Sequence, residues 1–223
     1  MTYENTLRSG ALHRLVVAAE DPEIVEHVQS FGGEAFLTGI HPSGTDRVAD
    51  VVHKHLMEAD IIVNVQADEP CLDPQIIEKL VSTLRASPSA VITTPVSPIA
   101  DQSQISNPSC VKCVFDQQGR ALYFSRAPIP FTQKNEIGVT YYRHIGVYCF
   151  RRSFLLQYAA LPKSPLQQIE DLEQLKILEH GWPIHVCLVA EPMAGVDTPA
   201  DFEKIERYLC QNTSSSQAAL SPH

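Results

Sequence analysis

Two neighbouring carboxylates follow a run of strand-forming residues in the first third of the chain. The segment IIVNVQADEP at 61–70 places Asp68 and Glu69 shortly after five residues typical of a buried strand. In an open parallel sheet, ligands bind outside the carboxyl ends of the strands, and Mg²⁺ prefers oxygen ligands such as carboxylates. These acids are therefore candidates for a magnesium site, although a lone Asp at such a place is more commonly a turn residue.

A second acid at a predicted strand end is Asp197, in the segment GVDTPAD. It follows the predicted strand PIHVCLV and precedes a helix that Thr198 can cap, with Asp201 as the partner in a capping box. Because Thr198 takes the capping role, Asp197 is available for a ligand. Two acids at adjacent strand ends favour a shared metal site more than either acid does alone.

Polar residues also separate a predicted strand from a predicted helix at 41–47, HPSGTDR. Exposed amides and the hydroxyls of Ser43 and Thr45 could hold a phosphate or the edge of a base. An ordinary helix N-cap is the alternative, and spacing alone favours it. Neither GxGxxG nor GxxxxGK[ST] occurs in the chain, so these two glycine motifs for phosphate are excluded.

Three further places carry reactive residue types: Arg126 in YFSRAPIP, His144 in YYRHIGVY, and the acids Glu170, Asp171 and Glu173 in one predicted helix. An isolated Arg or His is more often structural than catalytic. Acids in the first half of a helix meet the positive end of its dipole. Residue type alone therefore does not assign a function to any of them.

The elements that must position these residues alternate along the first half of the chain. Apolar strands are predicted at 13–20, 34–39, 61–65 and 90–96, and amphipathic helices lie between them. This alternation is typical of a parallel sheet covered on both faces. A hairpin at 110–125 across the turn QQGR, and then the strand HIGVYCF, predict a β insertion at about 108–150 that serves as a lid or dimer element.

We therefore predict an α/β fold with a mostly parallel sheet, in one domain over 1–210, with a disordered tail at 211–223. One helix is expected over 166–181 and a strand over 183–189. The 223 residues carry a formal charge of −9 and no block of Lys and Arg, which argues against nucleic acid or an anionic membrane as partner. The polar start, the lack of an apolar run of about 18 residues, and cysteines expected as free thiols predict a cytoplasmic protein.

Six segments, in their order and spacing, closely resemble the family of 3-deoxy-manno-octulosonate cytidylyltransferases, or CMP-KDO synthetases. They are SGTDRVADVV, IIVNVQADEP, VKCVFDQQGRALYFSRAPIP, RHIGVYCFRRSFL, PLQQIEDLEQLKILEHG and GVDTPADF. The resemblance implies a Rossmann-like nucleotidyltransferase, usually a homodimer, that transfers CMP from CTP to KDO for lipopolysaccharide biosynthesis. A cytidylyltransferase for another acid sugar, and a catalytically inactive binding or dimerising subunit, are the alternatives.

The resemblance also implies roles for individual residues. The catalytic set would be Asp68, Asp197 and Arg126, with the two aspartates holding Mg²⁺ against KDO and the α-phosphate. The loop that reads the cytidine would consist of Ser43, Gly44, Thr45 and Arg47. The residues around the sugar acid would be Gln66, Arg126, His144, Tyr148 and Glu173, with Arg126 as the partner of its carboxylate.

The sequence departs from the family in three places. The family begins with one more strand and a loop of the type R-x-x-S-x-R-x-P-G-K around the triphosphate, and neither is present in the sequence. An upstream start and a shortened chain without catalysis are both open, and we favour the first. Ala67 replaces the Gly of Q-G-D-E-P, and Ala19-Glu20 replaces Thr-Asp. We expect weakened activity from Ala67 if the backbone there needs a positive φ or must let a ligand approach closely.

Overall fold

The computed structural model describes residues 2–133 and 138–190 of an α/β chain. The elements are α1 (Thr2–Leu7), β1 (Val16–Ala19), α2 (Pro22–Ser30), β2 (Glu34–Leu37), α3 (Gly44–His55), β3 (Ile61–Val65), α4 (Pro74–Ala86), β4 (Ile92–Pro98), β5 (Lys112–Phe115), β6 (Ala121–Ser125), β7 (Tyr142–His144), β8 (Val147–Arg151), α5 (Arg152–Ala160), α6 (Pro165–Glu170), α7 (Glu173–Glu179) and β9 (His185–Leu188). No helix within these two ranges is both long and apolar enough to span a membrane.

Local signals set the ends of the early helices. Asp21 caps α2 by accepting a hydrogen bond from the Glu23 amide at 2.8 Å, and Pro22 occupies the first turn, as predicted. Gly32 follows the helix with a φ of 82°, a conformation that favours glycine. Residue type predicts these helix boundaries because a capping residue or a helix-ending glycine affects only the backbone within a few residues of it.

The strands form two separate sheets. β1 and β2 pair in parallel as a two-stranded sheet, while the main sheet has seven strands in the order β3-β8-β4-β7-β5-β6, with β9 paired to β4. Within the main sheet, only the β4–β9 pair is parallel among the described residues. The prediction of a mostly parallel sheet is therefore wrong.

The position of β8 explains this correction. β8 lies antiparallel between β3 and β4, so β3 and β4 point in the same direction but do not pair with each other. The alternation of strand and helix correctly indicates that successive strands share a direction. It cannot indicate that a strand from 147–151 returns between them, because that pairing is set by contacts distant in sequence.

Two other predicted elements have different outcomes. The predicted hairpin is present as the antiparallel pair β5–β6. The predicted single helix over 166–181 is instead two helices, α6 and α7, separated at Asp171, whose φ is 52°. A non-glycine residue in this left-handed conformation ends α6 and redirects the chain, so Glu173 begins a new helix.

The apolar residues form three clusters of unequal size. The two large clusters pack α3, α4, α5 and α7 against the main sheet. The third is small, and its buried members are Ala19, Val25, Val28 and Ala35, from the β1–α2–β2 unit. Cys113, Cys149 and Cys187 are buried free thiols, as predicted for a chain without disulfides.

Candidate functional site

A pocket of about 250 Å³ lies beyond the carboxyl end of β3. It gathers four of the predicted site residues: Asp68, His144, Tyr148 and Glu173. They come from the turn after β3, from β7, from β8 and from the first residue of α7. The other residues that line it are Glu69, Ser109, Val111, Arg143, Gly146, Asp171, Leu172 and Gln174. Segments more than 100 residues apart in the sequence therefore build one small polar site.

The predicted nucleotide loop lies at the start of α3. Ser43 is the N-cap, because its Oγ accepts from the Asp46 amide at 3.1 Å and donates to the Asp46 carboxylate at 2.7 Å. Gly44 lies so close to Gln66 that an added Cβ would be 2.8 Å from Gln66 Oε1. The ordinary N-cap interpretation of Ser43 is confirmed, and a side chain at Gly44 would displace the terminal amide of Gln66.

Thr45 connects this loop to the pocket. Its hydroxyl accepts from Asn64 Nδ2 at 3.0 Å and donates to Glu173 Oε1 at 2.9 Å. The second carboxylate oxygen of Glu173 accepts from the Tyr158 hydroxyl at 3.5 Å. The start of α3 is thereby tied to the start of α7, and a change at the nucleotide loop can reach Glu173 directly through the Thr45 hydrogen bond.

The protonation states of Glu173 and His144 are shifted in opposite directions. Burial raises the pKa of Glu173, and the hydrogen bond from Thr45 offsets this only in part. Burial, with a smaller effect of the Arg143 charge, lowers the pKa of His144 to about 3. His144 Nε2 is hydrogen-bonded to Thr94 Oγ1 at 2.8 Å. At neutral pH, His144 is therefore an uncharged, oriented imidazole.

Gln174 also lines this pocket and is not among the residues predicted from the sequence. The residue is 2% exposed, and its Oε1 accepts from the Tyr148 hydroxyl at 3.1 Å. Its Nε2 has no hydrogen-bond partner within the described part of the chain. A buried amide nitrogen without a partner is costly, so it is a candidate donor to a ligand. No sequence pattern distinguishes this Gln from any other helical Gln.

Arg126 is held by backbone groups. Its guanidinium donates to the carbonyl oxygens of Glu170 at 2.7 Å, Pro108 at 3.0 Å and Asp171 at 3.1 Å. Its own carbonyl accepts from the buried ammonium of Lys112. Arg126 does not line the 250 Å³ pocket. Its guanidinium thus joins the loop before β5 to the break between α6 and α7, and its role towards the sugar carboxylate remains a prediction.

Arg143 is a second cation that the sequence analysis did not select. It lines the pocket, and its Nε is buried without a hydrogen-bond partner among residues 2–133 and 138–190. It directly precedes His144 on the three-residue strand β7, which ends at His144 and is followed by Ile145 and Gly146. In a regular strand, neighbouring side chains point to opposite faces of the sheet. The position of Arg143 next to His144 in the sequence therefore did not indicate that both line one pocket.

The remaining predicted residues lie around the pocket or outside the described ranges. Asp68 is exposed and shares the pocket with Glu69, Asp171 and Glu173, and carboxylate oxygens are the kind of ligand that Mg²⁺ prefers. Within the described residues, no three His, Cys, Asp or Glu side chains are placed to hold a metal ion together. Asp197, Thr198 and Asp201 fall outside those residues, so Asp68 is the one predicted ligand that the structure places.

Arg47 belongs to the nucleotide loop and Gln66 contacts it at Gly44, and neither residue lines the 250 Å³ pocket. Arg47 Nη2 forms an ion pair with Glu20 at 2.6 Å. Glu20 belongs to the Ala19-Glu20 pair that stands where the family has Thr-Asp, and it neutralises the charge of Arg47 in the loop. Ala67 is exposed and does not have a positive φ, because Asp171 alone among described non-glycine residues does. Ala67 therefore has no strain from a positive φ. It would weaken activity only if a ligand must approach the backbone closely at this residue.

Comparisons with known proteins agree on one family. The family model described as cytidylyltransferase matches residues 1–189. A 3-deoxy-manno-octulosonate cytidylyltransferase of Protochlamydia amoebophila is 50% identical over 218 residues, which cover 95% of this chain and 84% of that protein. The protein of the same name from Chlamydia pneumoniae is 48% identical over 209 residues, covering 93% of this chain and 82% of the relative.

Two solved structures match this chain, one in sequence and fold and the other in fold alone. CMP:2-keto-3-deoxy-manno-octonic acid synthetase complexed with CTP matches with a TM-score of 0.88 and 40% identity, covering 94% of this chain and 86% of that one. The 4-diphosphocytidyl-2C-methyl-D-erythritol synthase of Anaerococcus prevotii matches with a TM-score of 0.61 and 12% identity, over 93% of this chain and 83% of that one. The second match shows a shared fold alone.

Proposed function

Because this chain belongs to the cytidylyltransferase family, we propose that it transfers CMP from CTP to 3-deoxy-D-manno-octulosonate (KDO), giving CMP-KDO and pyrophosphate for lipopolysaccharide biosynthesis. The observation that carries the proposal is the match to relatives of this name at 50% and 48% identity over almost the whole chain. The chain is therefore a nucleotidyltransferase, and the pocket beyond β3 is where we assign the sugar acid.

In the proposed reaction, the anomeric hydroxyl of KDO attacks the α-phosphorus of CTP. A new P–O bond forms, the bond to the β-phosphate oxygen breaks, and the hydroxyl proton leaves to solvent or a phosphate oxygen. No covalent bond to the protein is required, so the protein acts mainly by positioning and charge. The loop of Ser43, Gly44, Thr45 and Arg47 is assigned to the cytidine, and Gln66 lies at its boundary with the sugar site.

Two donors in the pocket suit an acid sugar. Arg143 presents a buried Nε without a partner, and Gln174 presents a buried Nε2 without one, each judged among the described residues. We assign the carboxylate of KDO to Arg143, since a guanidinium binds carboxylates with charge-assisted hydrogen bonds. Gln174 is oriented by Tyr148 and is assigned to a sugar hydroxyl. Neutral His144 contributes shape and hydrogen bonding rather than charge.

We propose Mg²⁺ as the cofactor, held by Asp68 and Asp197. Asp68, Glu69 and Asp171 line the pocket to which the anionic sugar acid is assigned, and a cation there would offset their negative charge. When bound, Mg²⁺ makes the attacking hydroxyl easier to deprotonate and neutralises charge on the phosphate. Arg143 and Gln174 would hold the sugar acid in the same pocket.

The deciding experiment measures pyrophosphate release by this chain with KDO, CTP and Mg²⁺. Turnover is expected with KDO and not with N-acetylneuraminate at the same CTP concentration, and Asp68→Asn is expected to remove most of it. Asp116→Asn, on the distant turn between β5 and β6, is the matched control. Equal turnover of both sugars would favour another acid sugar, and CTP binding without turnover would favour the inactive subunit.

Other predictions from the sequence are not decided by these observations. The Rossmann-like description is supported by the parallel β1–β2 pair joined through α2, and it is part of our proposal. The homodimer, the cytoplasmic location and the domain limits at 1–210 and 211–223 stay predictions. Size-exclusion chromatography with light scattering would test the dimer directly.

A further inference from the structure

Thr94 is a buried residue of β4 whose hydroxyl contacts one residue of the candidate sugar pocket. It is 0% exposed. Its Oγ1 lies 2.8 Å from His144 Nε2, 2.8 Å from the carbonyl oxygen of Val147 and 3.4 Å from that of Ile145. Thr94 does not line the pocket itself. It can therefore act on a ligand in the pocket only through His144.

These contacts determine where the hydroxyl proton of Thr94 lies. A hydroxyl donates one hydrogen bond, whereas a carbonyl oxygen can only accept. The 2.8 Å contact between Oγ1 and the Val147 oxygen therefore contains the Thr94 proton, because two oxygens at this distance without a proton between them would repel each other. Since its one proton is donated to Val147, Oγ1 can only accept a hydrogen bond from His144 Nε2.

The same contacts determine the tautomer of His144. A neutral imidazole has a proton on one ring nitrogen and a lone pair on the other. Because Oγ1 of Thr94 accepts from Nε2, the proton is on Nε2 and the lone pair is on Nδ1. Burial keeps the imidazole neutral by lowering its pKa to about 3, so one uncharged tautomer is present at neutral pH.

Nδ1 of His144 is left as an acceptor for a ligand. Within residues 2–133 and 138–190, no group donates a hydrogen bond to Nδ1, and this nitrogen is not among the buried polar atoms that lack a partner. His144 lines the pocket, so Nδ1 is accessible from it. A sugar hydroxyl can donate its proton to Nδ1 while its oxygen accepts from a donor such as Gln174 Nε2.

Packing holds the ring of His144 in its orientation. The ring of Phe124 meets it edge to face, with 5.0 Å between the centroids and an interplanar angle of 72°. The ring of Tyr148 is 5.4 Å away. The backbone is also held, because the His144 amide donates to the Val111 carbonyl at 2.8 Å. A ring in contact with two aromatic side chains has little freedom to rotate, so Nδ1 keeps one direction.

We propose that Thr94 is a positioning residue for the sugar acid, because it fixes His144 as the Nε2–H tautomer whose Nδ1 accepts a hydrogen bond from a sugar hydroxyl. The identity of the sugar rests on the proposed function, whereas the tautomer does not depend on it. In this state His144 selects a group that donates and disfavours a carboxylate oxygen, which can only accept. This selection agrees with the assignment of the sugar carboxylate to Arg143.

Nitrogen NMR of the wild-type chain tests the tautomer directly. The full 223-residue chain, with isotope-labelled histidine, contains nine imidazoles, and comparison with His144→Gln assigns the relevant one. At neutral pH we expect a protonated Nε2 and an unprotonated Nδ1. Saturating KDO, added without CTP, should shift the Nδ1 resonance and leave Nε2 protonated. A proton on Nδ1 in the sugar-free chain, or an Nδ1 resonance that KDO does not change, would overturn the proposal.

Variants of two adjacent threonines separate positioning from stability. Thr94→Val removes the acceptor for Nε2–H, so both tautomers of His144 should be populated and kcat/KM for KDO should fall about 3- to 10-fold, with unchanged KM for CTP. Thr94→Ser keeps the hydroxyl and should restore the single tautomer, with kcat/KM within about twofold of the wild type. Thr93→Val is the matched control, because Thr93 is also 0% exposed but donates to the Leu80 carbonyl at 3.1 Å. Equal losses in Thr93→Val and Thr94→Val would contradict a positioning role.

Analogues of KDO that each lack one hydroxyl identify the group that Nδ1 binds. With the wild-type chain, one analogue should lose about 3- to 10-fold in kcat/KM relative to KDO, and with Thr94→Val the same analogue should lose less than about twofold. Equal losses in the two chains would contradict a hydrogen bond from the sugar to Nδ1. If Thr94→Val does not fold, the NMR of the wild-type chain decides. If the wild-type chain does not turn over KDO, the proposed function fails, and the tautomer in the sugar-free chain still decides the role of Thr94.

Discussion

The two sheets of this chain differ in how completely their strands are covered. In the main sheet, β4 and β8 each have neighbours on both sides, and aromatic residues around Phe150 fill the space between sheet and helices. In the two-stranded sheet, β1 has one neighbour, and four small residues form the buried part of its core. The difference shows that the neighbours of a strand decide how much of it is covered, so we expect the two-stranded unit to be the less stable one.

The candidate site belongs to the main sheet, whose central strands are covered on both sides. The pocket beyond β3 is built from β7, β8 and α7, which belong to the main sheet and its packed helices. The nucleotide loop at the start of α3 lies at the boundary, where Arg47 pairs with Glu20 of the small unit. We therefore expect the sugar site to be rigid and the nucleotide loop to depend on how the small unit is held.

The largest expected effect comes from removing a central aromatic side chain. Phe150 is 1% exposed and packs against Tyr148, Phe154 and Tyr158. Phe150→Ala should lower the free energy of unfolding by about 3–5 kcal/mol, since it removes buried area and leaves a cavity. Urea denaturation with a common m-value would measure this loss.

The matched variant in the small unit should cost less. Val28 is 6% exposed within the four-residue cluster, and Val28→Ala should lower the free energy of unfolding by about 1–2 kcal/mol. A loss equal to that of Phe150→Ala would contradict the contrast between the sheets. An early separate transition in circular dichroism would strengthen it, because it would show that the small unit unfolds by itself.

The next effect concerns the cation in the pocket. Arg143→Met should lower kcat/KM for KDO by about 10- to 150-fold, the equivalent of a charged hydrogen bond of about 1.5–3 kcal/mol, with an unchanged KM for CTP. Arg120→Met is the control, because Arg120 pairs with Asp116 on the distant β5–β6 turn. A change in KM for CTP alone would place Arg143 at the nucleotide instead of the sugar.

His144 should make stability depend on pH on the acidic side. Its folded pKa is about 3, below the ordinary value near 6.5 in the unfolded chain, so the unfolded state binds more protons between these values. Stability is complete above about pH 6.5 and falls with decreasing pH, by at most about 1.4 kcal/mol per pH unit. NMR titration of His144, with His53→Gln as an assignment control, should show no protonation down to about pH 4.

Glu173 should act in the opposite direction. Its folded pKa is raised, so the folded state binds more protons between the ordinary Glu value and the raised one. Its contribution to stability is complete at low pH and falls as pH rises through this window. Glu173→Gln should remove this slope in urea denaturation, whereas Glu58→Gln on the surface should keep it. An unchanged slope in Glu173→Gln would assign the dependence to another group.

The smallest effect is expected at the turn after β3. Ala67 is exposed and has no positive φ, so replacing it by Gly relieves no strain. We expect Ala67→Gly to change kcat/KM by less than about threefold, under about 0.7 kcal/mol of transition-state energy. An increase above tenfold would show that a ligand approaches the backbone closely here, as the family resemblance suggests.

Local sequence signals determined much of this protein. Asp21 and Pro22 start α2, the turn QQGR forms the β5–β6 hairpin, and the strand 61–65 ends before Asp68 at a pocket. These features depend on hydrogen bonds and dihedral preferences within a few residues, so residue type was sufficient. The resemblance of six segments predicted a sugar site of five residues. The structure places His144, Tyr148 and Glu173 around that pocket with Asp68, whereas Gln66 and Arg126 do not line it.

Only the tertiary structure decided the remaining features. The insertion of β8 between β3 and β4, the left-handed Asp171 that divides α6 from α7, and the open edges of β1 and β3 all depend on partners distant in sequence. The same is true of Arg143 and Gln174. Their nitrogens without partners are candidate donors to a ligand because they are buried in a shared pocket. Burial and strand pairing depend on contacts in the folded chain. The periodicity of residue types along the sequence therefore cannot predict them.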